Sequence, residues 1–129
     1  PSETTRSRPD LTVAVPDEGE IRVKLPYRVE TRTGDSFDID FPLHPATDDP
    51  VRTTQILSAV LEAIDRDIDI VGPAGNGDVL QAVAMALAVR ATMIHAPVDT
   101  TAGLAQDLLQ TALTAAGEAP RHSSPAGHA

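Results

Sequence analysis

Between Val79 and Ile94 the side chains are apolar on every side of a helix, with only Gln81, Arg90 and Thr92 polar. A helix without a polar face has to be covered all round, by its own domain or by another polypeptide. At about 16 residues the segment is short of the roughly 20 that a bilayer crossing requires, and it contains an arginine. It is therefore expected in a protein interior, and in part at a subunit interface. A domain of 129 residues has difficulty enclosing every face of one helix.

The segments around it show two different periods. Leu11, Val13 and Val15 alternate with Thr12 and Ala14, then Ile21, Val23 and Leu25 with Arg22 and Lys24. After a turn at Gly34-Asp35, Phe37, Ile39, Phe41 and Leu43 alternate with Asp38 and Asp40. Period two of this kind predicts a three-stranded antiparallel meander over about 11–43, one face apolar and one wet. The period then lengthens. Asp49-Pro50 is a carboxylate N-cap followed by proline at the first helical position, and Leu57, Val60, Leu61, Ile64 and Ile68 make one stripe. Three helices are expected, at about 50–67, 78–95 and 100–116. Asn76 or Asp78 would cap the second and Asp99 the third, with Gly117 just beyond its end.

The fold class is thus α+β. The alternative is α/β with short strands at 68–71 and 91–96, against which Leu80, Val83, Leu87, Ala91 and Ile94 keep one helical face. Residues 1–10 read as a disordered lead, 11–117 as a single globular domain, and 118–129 as a flexible tail.

Composition narrows the partners. The net charge of −9 opposes binding to nucleic acid or to an anionic membrane. One tyrosine and two phenylalanines leave few surfaces on which bases could stack. Without cysteine there is no disulfide frame, thiolate metal site or thiol nucleophile. No apolar leader is seen at the start, so a cytoplasmic location is expected. Arginine in preference to lysine, with abundant alanine, is what a GC-rich bacterial genome encodes.

Candidate sites are few. Gly72, Gly75, Asn76 and Gly77 form a glycine-rich turn opening a helix, an arrangement whose free N–H groups suit phosphate or carboxylate. Its spacing matches neither nucleotide-binding fingerprint, and Asp78 puts a negative charge where the anion would sit. A plain helix connection is the expected reading. Asp35, Asp38, Asp40, His44, Asp48 and Asp49 are dense in carboxylate but lack the order of a calcium loop, so neither metal nor cofactor is expected. His44 and His95 would form an acid–base pair only if the fold joined them. Arg90 needs a carboxylate or solvent, and an ion pair bridging subunits is its expected role.

No complete catalytic constellation is present. The chain is accordingly expected to be a non-catalytic assembly or accessory protein, a homo-oligomer or one subunit of a complex, docking through Val79–Ile94. The alternative is a small enzyme or small-molecule-binding protein with its site between sheet and helices, where His44, His95, Arg90 and the Gly72–Gly77 turn are the candidates.

Overall fold

Residues 22–123 are described in a computed structural model of the chain. The lead at 1–10 and the strand expected at 11–15 lie outside the described residues, as does 124–129. Strand β1, Lys24–Glu30, pairs antiparallel with β2, Ser36–Pro42, so that Leu25 faces Phe41, Tyr27 faces Ile39 and Val29 faces Phe37. Directly opposed residues share a face of the sheet, and these six make the apolar one. Arg28 and Asp38, also opposed, mark the wet one. The connection closes through bonds from the Gly34 N–H to the Thr31 carbonyl and from the Thr31 N–H to the Asp35 carbonyl. Gly34 has φ 92°, a left-handed conformation that glycine takes without steric cost.

Helix α1 spans Pro50–Val71 and starts as its sequence predicts, with the Asp49 carboxylate accepting the Arg52 N–H at 3.0 Å. It runs past the expected end at 67, because the segment that resembled a strand, 68–71, is its last turn. Gly72, at φ 125°, stops it and returns its N–H to the Ile68 carbonyl.

Helix α2, Asn76–Thr92, corrects the expected cap. Its N-cap is Gly75, with no side-chain bond, so Asn76 and Asp78 both lie inside the first turn. Ala91 and Thr92 are helical, as the continuous helix expected over about 78–95 has them, and the helix ends at Thr92 in a tight turn where the Ile94 N–H bonds to the Ala91 carbonyl. Helix α3, Val98–Glu118, begins after Pro97 rather than at an Asp99 cap and carries Gly117 inside its last turn.

The third strand of the described sheet is β3, Arg121–His122, which pairs with the far edge of β2. The architecture is therefore α+β, with a three-stranded antiparallel sheet in the order β1-β2-β3 and three helices. The third described strand comes after the helices, from a segment whose Pro, Ser and Gly content predicts a loose tail.

Helix α3 packs against β2, and α2 packs against α3. The Tyr27 and Ser58 hydroxyls share a 2.9 Å hydrogen bond that fastens α1 to β1. Ile39 and Ala115 are the buried apolar residues, and among the described residues no large side chain is fully enclosed. A chain of this length ordinarily buries about two-thirds of its unfolded surface. Among the described residues the buried core is small.

Candidate interaction surface

The apolar segment of α2 forms the helix it predicts, and the described residues leave it largely uncovered. Leu80 is 70% exposed, Met85 57% and Val89 53%, and Met93 at the helix end is 56% exposed. Every other residue of α2 is exposed too, apart from Val79 and Ala91, which are half-buried. The described part of the domain therefore shelters this helix only in part. The connections at its two ends are short, and α3 reaches only one side.

Three stretches of surface result. On the side facing α3, Ala84, Leu87, Ala88 and Ala91 share a groove with Ala102, Ala105 and Leu109. Alanines on both walls let the two backbones come close. Toward α1, Val79, Ala82 and Val83 face Ala63, Ile64 and Ile68 across a cleft of about 320 Å³. Leu80, Met85 and Val89 line neither. They point at solvent.

The polar groups are gathered elsewhere. On the wet face of the sheet the Arg28 guanidinium reaches Asp38 at 3.1 Å, Glu30 at 3.4 Å and the buried Ser36 hydroxyl at 3.2 Å. The hydrogen bond to Glu30 and the charge of Asp38 hold Arg28 still more firmly protonated than usual. His122 adds a contact to Asp38 at 3.6 Å, while Arg121 binds Asp35 and lies 5.1 Å over the Phe37 ring. These pairs fasten β3 to the sheet. They are open to water, and each contributes little on its own.

Each sequence candidate has a definite place. His44 follows β2, and its Nδ1 accepts the Ala46 N–H at 3.0 Å, which leaves Nε2 directed at Asp107 of α3, 3.7 Å away. His95 is exposed in the turn between α2 and α3. Asp107 lies about 14 Å along α3 from the end near His95, at 1.5 Å per residue. The two histidines therefore work at separate points of the fold. Arg90 sits in the last turn of α2, exposed, and its guanidinium reaches only the Met93 sulfur at 3.1 Å. Among the described residues it meets no carboxylate.

Gly72, Gly75, Asn76 and Gly77 form the α1–α2 connection. Only Gly72 needs the conformational freedom of glycine, and a Cβ placed on Gly75 would stand 3.7 Å from an Asp78 oxygen. The carboxylate thus hangs over the turn that an anion would have to enter. The acidic residues between 35 and 49 disperse: Asp35 meets Arg121, Asp38 meets Arg28, and Asp49 caps α1. Among the described residues no three His, Asp or Glu side chains gather as a metal ion requires.

Sequence reasoning missed Asp67, which borders the α1–α2 cleft, and Arg121 and His122. Asp67 could have been found by projecting α1 onto a wheel together with Ile64 and Ile68. No described helix is long and apolar enough to cross a membrane. Comparison with protein-family models, with curated proteins and with solved structures finds no significant match in any of the three.

Proposed function

We propose that the protein works by assembly, with α2 docked against another polypeptide, either a further copy or a different subunit. The observation that carries this reading is the exposure of Leu80, Met85 and Val89 on a helix with no polar face. Each large apolar side chain left in water forgoes about 1.5–3 kcal/mol of burial. Large apolar side chains exposed together on one element mark interaction sites in folded proteins. The thin core among the described residues points the same way, since surface they leave uncovered gains from a partner.

Light scattering over a concentration series, combined with binding of a hydrophobic dye, tests it. The full chain is expected either to form a multimer of its 13.6 kDa mass or, where it stays monomeric, to bind the dye strongly. A monomer that leaves the dye in water would end the proposal.

The second reading, a small-molecule site between sheet and helices, has one observation in its favour. A cleft of about 440 Å³ lies between β1 and α1, walled by Tyr27, Val29, Leu61 and Ile64, with the Ser58 hydroxyl at its edge. That size falls within the range of ligand pockets. His44, His95, Arg90 and the Gly72–Gly77 turn do not line it. A ligand that raised the melting temperature and lost that effect on Tyr27→Ala would support this reading over assembly.

A further inference from the structure

Resting on the assembly reading, the inference concerns which partner the α1–α2 cleft fits. Its floor is two short ridges, Ile64 with Ile68 on α1 and Val79 with Val83 on α2, each pair four residues apart and so on one helical face. Ridges at that spacing accept the i, i+3, i+4 side chains of a third helix. The charged residues on its rim are Asp67 and Asp78. Both are exposed, and among the described residues neither makes an ion pair or a side-chain hydrogen bond. Arg66 projects from the opposite side of α1, by helical periodicity. The cleft is apolar below and negative at its edges.

We propose that this cleft receives a basic amphipathic helix of a different polypeptide, apolar side chains on Ile64, Ile68, Val79 and Val83, lysine or arginine beside Asp67 and Asp78. A second copy of the chain fits poorly. Helix α3 has no basic residue, α2 has only Arg90, and α1 has Arg52 and Arg66, so none of the described helices offers a basic flank. Two copies at −9 each also repel one another, whereas a basic helix is drawn in.

The test titrates the full chain with a labelled synthetic helix bearing leucines at three- and four-residue spacing and lysines on both flanks. A control peptide has glutamate in place of every lysine. The lysine peptide is expected to bind at least tenfold more tightly at low salt, with the gap narrowing as salt rises. Methyl and amide shifts should fall on Ile64, Ile68 and Val83. Asp67→Asn with Asp78→Asn should reduce the lysine preference about three- to tenfold, the scale of two exposed ion pairs. Asp48→Asn with Asp99→Asn, elsewhere on the surface, should leave it unchanged.

Equal binding of the two peptides would overturn the inference, as would the same loss in both double variants, or shifts confined to the α2–α3 groove. Self-association that strengthens with salt and covers the Val83 methyl would overturn it in favour of a second copy. All of these leave the assembly reading standing. A monomer that binds no hydrophobic dye removes that reading instead.

Discussion

The Arg32 guanidinium, in the loop between β1 and β2, holds the Asp69 carboxylate at 2.7 Å across to the last turns of α1. Its Nε also lies 3.7 Å from Asp65, and another of its nitrogens donates to the Asp65 backbone carbonyl. With Tyr27–Ser58 midway along the helix, these contacts fix the line of α1 against the hairpin. They also fix one wall of the cleft toward α2.

That tether makes stability depend on acid. The hydrogen bond from Arg32, together with its charge, holds Asp69 below the usual carboxylate range. On acidification the unfolded chain takes up its proton first, so the contribution is complete above about pH 4 and is lost as pH falls through the depressed folded value. Melting temperature measured from pH 6 to pH 2, at low salt, should therefore fall less steeply in Asp69→Asn than in the parent. Parallel curves would show that the pair does not hold the helix.

Tyr27→Phe removes the hydroxyl that meets Ser58 and keeps the ring. A loss of about 0.5–1.5 kcal/mol in urea unfolding is expected. Ser58→Ala in the same background should add little, because the shared bond is already gone. Full additivity would mean that the two hydroxyls act independently.

Asp49→Ala takes away the side-chain cap of α1 and should cost about 1 kcal/mol. Asp48→Ala is the internal control, since Asp48 makes no side-chain bond among the described residues. Its effect should stay within about 0.5 kcal/mol. Equal effects would displace Asp49 from the capping role.

Arg121 and His122 hold the third strand through Asp35, Phe37 and Asp38. Truncation after Ala119 should expose the β3-facing edge of β2 at Ser36, seen as faster exchange of the Ser36 amide. The Tyr27 to Ile39 pairing in the body of the hairpin should keep its protection. Unchanged exchange at Ser36 would remove β3 from the sheet in solution.

How much of this was legible depended on whether a signal was local. The Phe37–Ile39–Phe41 alternation and the Asp49-Pro50 start are written in neighbouring residues, and both appear in the fold. The end of α1 misled because Asp69-Ile70-Val71 resembles a strand entry, whereas the break needed a positive φ and waited for Gly72. Gly117 misled in the opposite sense, since a glycine can sit inside a last turn at a modest propensity cost. Strand β3 is two residues long, too short for any period to show.

The site divided along the same line. That α2 is greasy on all sides can be read from its residues; which neighbours cover it cannot, because coverage depends on where α1 and α3 run. Arg90 illustrates this. Its need for a carboxylate or for water is plain from the sequence, and the structure meets that need with solvent and a sulfur.

The chain has two methionines, Met85 within α2 and Met93 at its end, so oxidation of methionine reports on this helix alone. Mild peroxide treatment of cells producing the full chain at its natural level, followed by mass measurement, counts the oxygen atoms taken up. If α2 is docked in its working state, both methionines should resist oxidation in the cell and react freely once the chain is purified to a dilute monomer. Oxidation in the cell as fast as in an unfolded peptide would contradict the account, because the helix would then be standing bare in water.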